Sequence, residues 1–314
     1  MNPFRTMLRS AGMRTKHVSP VRPESASGVV AEVYRQTERD FGMLAPPITL
    51  HSPSPELLAA AWCMLRETLL VPGFAGRAAK ERIATAVSEA NSCPYCVAVH
   101  GSLADALPAS SPSPHSAPVA EERPEVTTEL TAVATTFHYL NRMVNVFLDD
   151  SPLPRGAPRA AIGMLGRVLR SRSASPPGES LALLPPSDRA AELPSEGCHE
   201  RIAETTARAH AVIERAGKSS VPIAVRDMLH TVLPRYDSDY RMNFSWLQDC
   251  LTELRPGDRP AGRLALLTAL ESYRVDERTV LDYRATGADD AALIELTAWA
   301  AYVAARHGNT PTAG

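Results

Sequence analysis

Aromatic residues make up only 5% of this 314-residue chain, and no apolar stretch approaches the roughly 18–20 residues needed to span a bilayer. The first shortage argues against a sheet-rich fold. The second argues against a membrane protein. Charge of either sign is also missing in excess: 33 Lys and Arg against 35 Asp and Glu leave a net charge of −2, which offers no attraction to nucleic acid or to an anionic membrane. Cysteine is scarce and odd in number, with Cys63, Cys93, Cys96, Cys198 and Cys250 as the full set. Such a set does not read as the disulfide framework of a secreted protein, and a cytoplasmic, reducing setting is the expectation. What is abundant is Ala, Leu and Arg, so the composition points to an all-α protein.

The chain is long enough for two domains. Residues 1–27 carry no period and read as a flexible tail; their basic start lacks the apolar run of a secretory signal. Helical spacing then predicts helices over 29–41, 55–70, 77–91 and 125–148, with a Pro-rich connector after the first and a Pro- and Ser-rich loop over 107–125. Together 28–150 form the expected first unit. Residues 151–197 read as a Pro/Ser/Arg-rich linker with a short helix at 160–170, where Arg170 and Arg172 are linker charge. A second helical unit over 198–308 and a short tail over 309–314 complete the chain. Glu129-Leu130-Thr131-Ala132 recurs as Glu295-Leu296-Thr297-Ala298, each ahead of an aromatic-bearing helix, which suggests an internal duplication. The stretch near 271–282 that would match the cysteine-bearing helix holds neither Cys nor His, so one chemical site per chain is expected.

That site is ERIATAVSEANSCPYCVAVH, residues 81–100. With Pro94 in the first turn of a helix, Cys93, Cys96 and His100 fall within about 60° of one helix face. The N–H groups at a helix start favour thiolate, and a nearby histidine can take the proton, so one cysteine is expected to be reactive near neutral pH. A zinc knuckle would need four ligands, and only His100 stands near the CxxC as a third. Inert buried thiols and a dithiol redox centre are the other readings, and the shared face favours the redox one. On the 125–148 helix, His138, Asn141 and Asn145 make a polar line that either borders the site or satisfies buried backbone. His51 reads as a turn cap and Cys63 as core, while Cys198 and Cys250 read as inert.

Glu81, eleven residues, CxxC, three residues and His100 together resemble the active-site motif of the alkylhydroperoxidase D-like, carboxymuconolactone decarboxylase superfamily, closely over 77–100 and more loosely in the flanks. The second half is similar only as a degenerate repeat. The resemblance implies an all-helical fold and a peroxidase or thiol–disulfide oxidoreductase. It makes Cys96 the attacking cysteine, Cys93 the resolving one, and His100 with Glu81 the proton relay. No bound cofactor or metal is implied; a small hydroperoxide or disulfide would be the substrate, an external dithiol protein the reductant, and a homo-oligomer the usual assembly. Where peroxidase members can carry a second histidine between the cysteines, this chain has Tyr95, a hydrogen-bonding group but a poor base, its ordinary pKa being about 10. The alternative is a non-catalytic helical binding or assembly protein whose CxxC senses redox state or is vestigial.

Overall fold

The computed structural model describes residues 12–107, 123–152, 176–186, 200–236 and 245–307. Among these, every regular element is helical, and twelve α-helices are present. They are α1 (Gly28–Asp40), α2 (Pro46–Thr49), α3 (Pro55–Leu65), α4 (Arg77–Ala90), α5 (Pro94–Ala106) and α6 (Pro124–Phe147) in the first half. The second half holds α7 (Glu200–Ser220), α8 (Ile223–Val232), α9 (Trp246–Thr252), α10 (Arg259–Glu271), α11 (Glu277–Arg284) and α12 (Asp290–His307).

Four of these form the centre. α3 packs on α7, α7 on α12, α12 on α6 and α6 on α3, closing a ring. Residues 57–65 of α3 are all buried, which a helix tolerates only when it is apolar on every side and surrounded. The α4–α5 pair packs outside α6, and α10 lies against α12 with α11 against α10. α1 covers the outer side of α3. The buried apolar residues form one continuous cluster from Val18 to Ala305, so both halves of the sequence share a core.

Several local readings change. The 55–70 helix ends its α-helical part at Leu65 and widens into a π-turn over Arg66–Leu70. That extra residue per turn aims Arg66 and Glu67 inward, where Arg66 Nε lies 2.7 Å from Asp40 Oδ2 and also pairs with Glu67. The Pro-rich connector contains α2, because Pro46 and Pro47 sit in a first turn where their missing N–H groups cost nothing. The tail expected over 1–27 is docked from residue 12: Lys16 N donates to Phe147 O at 2.7 Å, Ser19 N to Asp290 Oδ2 at 2.7 Å, and Val18 is buried. Within the expected linker, a 3₁₀ turn at Glu179–Leu183 packs on α3, with Glu179 Oε2 2.6 Å from Arg39 and buried Ser180 donating to Glu67. The helix expected at 160–170, Arg170, Arg172 and Cys198 lie outside the described residues.

Apolar faces of the two halves cover one another within the chain through the α6–α12 and α3–α7 contacts. Among the described residues the exposed large hydrophobics are Val29, Ile223, Tyr273 and Leu281. No helix among them is long and apolar enough to cross a membrane.

Candidate active site

The turn between α4 and α5 is the part of the fold that brings the cysteines into the core. Ser92 takes a left-handed conformation (φ 51°) just past the end of α4, and Cys93 N then donates back to Ser88 O at 2.9 Å. Cys93 caps α5, its carbonyl accepting from Val97 N at 3.0 Å, and Pro94 opens the helix. Both cysteines are free thiols, 1% and 3% exposed, and they hydrogen-bond to each other.

The helix start does not leave a thiolate here. Burial pushes the Cys96 thiol well above its ordinary pKa, and Cys93 beside it pushes in the same direction, against a smaller opposing pull from the Asn141 side chain. The expectation of a reactive thiolate near neutral pH is therefore corrected for the resting, reduced pocket. Desolvation of a whole thiolate outweighs the partial charges at a helix end.

One turn along α5, His100 is buried with its Nδ1 2.7 Å from Glu81 Oε2. Glu81 reaches it from α4 and is wholly buried. Burial alone would raise this carboxyl, but Arg77 and His100 together more than cancel that and hold it below the usual carboxylate range. Arg77 supplies Nε at 2.7 Å and Nη2 at 2.6 Å to Glu81 Oε1. With Nδ1 on the carboxylate, Nε2 is the ring nitrogen left for other work. The ring edge meets Phe137 of α6 at 4.5 Å between centroids.

A cavity of about 70 Å³ opens beside these groups, walled on one side by Tyr95, Cys96, Val99 and His100 of α5. Phe137 and Leu140 of α6 face them, and the stretch from Phe41 to the first turn of α2, with Leu65 and Pro152, closes the rest with apolar surface. Tyr95 therefore stands at the cavity, its phenol kept protonated mainly by burial and further by the neighbouring cysteines.

The polar line on α6 divides. Asn141 hydrogen-bonds the Cys96 thiol, donates to Ser88 Oγ at 3.1 Å and accepts from Asn91 Nδ2 at 3.1 Å. His138 does not line the cavity; its Nδ1 contacts Asn91 at 3.0 Å, and burial, aided by Arg142, pulls its pKa down to about 4. Asn145 donates to Asn91 O at 3.0 Å and to Ser272 Oγ at 2.9 Å. The three residues clamp the α4–α5 turn onto α6, and only Asn141 touches the dithiol. Sequence reasoning missed Arg77, although its place four residues before Glu81 is the spacing of a helical ion pair. Ser88 and Asn91 carried no such signal.

The remaining candidates lie apart. His51 does cap its own turn, with Nδ1 3.2 Å from Ile48 O, but it is also fully buried and takes the Tyr139 hydroxyl on Nε2 at 2.8 Å. Burial lowers its pKa to about 4. Cys63 is core, donating to Ser180 O at 2.8 Å, its thiol pushed up to about 12 chiefly by burial. Cys250 is half-buried and free. Among the described residues no group of three or more His, Cys, Asp or Glu side chains is arranged to hold a metal ion.

Comparison with known proteins finds similarity to an alkyl hydroperoxide reductase of Mycobacterium tuberculosis, 33% identical over 328 aligned positions that cover 94% of this chain and 94% of that protein. No family model matches the chain, and no solved structure matches it.

Proposed function

This chain belongs to the alkylhydroperoxidase D-like family, and on that premise we propose that it reduces organic hydroperoxides through a Cys93–Cys96 dithiol. The observation that carries the reading is the shared cavity wall: the Cys96 thiol and the His100 imidazole, itself anchored on buried Glu81, face the same apolar space.

In the proposed cycle His100 takes the Cys96 proton as the hydroperoxide enters, and the imidazolium is held by the Glu81 carboxylate and, behind it, Arg77. The Cys96 sulfur attacks the terminal oxygen, the O–O bond breaks, and its electron pair leaves on the RO oxygen, which collects the proton from His100 as an alcohol. Cys96 is then a sulfenic acid. The Cys93 thiol attacks it, water leaves, and a disulfide forms. An external dithiol, in a compartment that keeps thiols reduced, returns the pair to its starting state by exchange. The chemistry needs no bound cofactor. The apolar walls suit an alkyl chain better than hydrogen peroxide.

Thiol trapping tests this. Reduced protein is treated with a slight excess of cumene hydroperoxide and its cysteines are mapped by mass spectrometry. Wild type should form one intramolecular disulfide, and Cys93→Ser should accumulate a sulfenic acid on Cys96 that dimedone traps. Cys96→Ser should do neither. Absence of both the wild-type disulfide and the Cys93→Ser sulfenic acid would exclude the peroxidase reading.

A further inference from the structure

The hydroxyl of Tyr95 has no part in the cycle above, yet it sits inside the CxxC. On a helix, positions 95 and 99 share one strip and 96 and 100 the next, and all four side chains wall the same cavity. The remaining lining side chains are Phe, Met, Ala, Pro, Leu and Val, none of which donates a hydrogen bond. Three side chains that carry a donor thus line the space: those of Cys96, His100 and Tyr95. Tyr95 is half-buried, and no protein group among the described residues hydrogen-bonds its hydroxyl; the two neighbouring sulfurs act on it through charge rather than hydrogen bonding.

Breaking an O–O bond makes an alkoxide in a cavity that is otherwise oily. A developing oxyanion in such a place is strongly destabilised unless a donor is already aimed at it. Cys96 is consumed as the attacker, and the His100 imidazolium supplies the one proton that it passes to the leaving oxygen, so a second donor would share the charge as it develops. We propose that Tyr95 contacts the substrate directly, its hydroxyl donating a hydrogen bond to the RO oxygen of the hydroperoxide and stabilising that oxygen as it leaves. The inference rests on the hydroperoxide reading. Burial keeps the phenol protonated, so it donates without surrendering its proton, and the alkoxide takes its proton from the His100 imidazolium. The step balances: the Cys96 thiol and ROOH give the sulfenic acid and ROH. A disulfide substrate is different, because its leaving thiolate is large, soft and only weakly dependent on such a donor. Tyr95 accordingly favours peroxides over disulfides at the same sulfur.

Stopped-flow oxidation of the full-length reduced protein, wild type and Tyr95→Phe, tests this with two reagents, cumene hydroperoxide and a small symmetrical disulfide. Tyr95→Phe keeps the ring and its packing, and far-ultraviolet circular dichroism verifies the fold. The expected result is a loss of about 10–100-fold in the hydroperoxide rate, the size of one hydrogen bond to a charged group, with the disulfide rate changed by less than about threefold. Across peroxides whose leaving alcohols differ in acidity, Tyr95→Phe should also show the steeper dependence on that acidity, which a merely structural role would not produce. Equal losses on both reagents, or no loss on either, would overturn the role of Tyr95 while leaving the peroxidase reading intact. A wild type that reacts with the disulfide but not with the hydroperoxide would overturn both.

Discussion

Cys96 rests as a thiol because burial costs a thiolate more than the start of α5 returns. In the proposed cycle the proton leaves during the reaction and is received by His100, whose Nδ1 rests on buried Glu81. Two opposite pH responses follow. The rate of oxidation by hydroperoxide should climb as pH rises from neutral, since more of the sulfur is ionised before encounter. Stability should move the other way: a thiol whose folded pKa is above the unfolded value of about 8.5 favours the folded state below that pH and loses the contribution as pH rises through its folded pKa. Glu81→Gln keeps the shape but removes the charge that holds the imidazolium. Its expected effect is a fall of roughly 100-fold in hydroperoxide-driven disulfide formation at pH 7, with part of the rate regained in alkali, as read by quenched-flow thiol counting. A pH profile parallel to wild type would show that the carboxylate does not act through the proton.

At the scale of elements, the dithiol is held by a turn and the turn by buried polar contacts from two directions. α6 grips it through Asn141 and Asn145. Farther along the same helices, Lys80 of α4 lies 2.7 Å from Glu129 of α6, with both side chains essentially buried, and Glu129 Oε2 also accepts from Ala75 N at 2.7 Å. Burial lowers Lys80 to about 8 against the pull of Glu129, the mark of a pair whose members depend on each other. Glu129→Ala should cost about 3–5 kcal/mol in urea unfolding, because it strands the ammonium and the backbone N–H together. Replacing both partners, Lys80→Met with Glu129→Leu, should cost clearly less than the single change. If the double variant is the worse of the two, the penalty does not come from an unpaired buried charge. Gly73 stands close by, where a Cβ would overlap the Glu129 carboxylate, so this joint has room for no larger residue without a shift.

The whole molecule is a ring of four helices drawn from both halves of the sequence, with the α4–α5 pair outside α6. Arg201 on α7 reaches across to Glu67 on the π-turn and lies 3.9 Å from Glu129 by its Nη2, so the halves are joined by ion pairs as well as by apolar packing. A fragment ending near residue 150 would expose the faces of α3 and α6 that α7 and α12 cover, and would leave Glu67 and Glu129 without Arg201. Such a fragment should fail to give a cooperative thermal transition and should aggregate in size-exclusion chromatography. A monomeric, cooperatively melting fragment would show that the second half is dispensable for folding.

Much of the site was legible in the chain because its geometry is local: Cys93, Cys96 and His100 share a face by helical arithmetic, and Glu81 belongs to a motif of fixed spacing. The helices were legible for the same reason, their apolar period being a property of each segment, and α4 and α6 begin and end within one residue of the bounds 77–91 and 125–148 read from the sequence. The π-turn at Arg66–Leu70, the docking of residues 12–27 and the burial of His51 were not legible, because each depends on partners tens to hundreds of residues away. By itself the sequence determined that the protein is helical and that a CxxC with a histidine lies at one helix start. Only the tertiary structure decided the state of that dithiol. It buried both sulfurs, raised the Cys96 thiol by desolvation, and turned Cys96, His100 and Tyr95 toward one apolar cavity, since burial and proximity arise from packing between segments that no local spacing encodes.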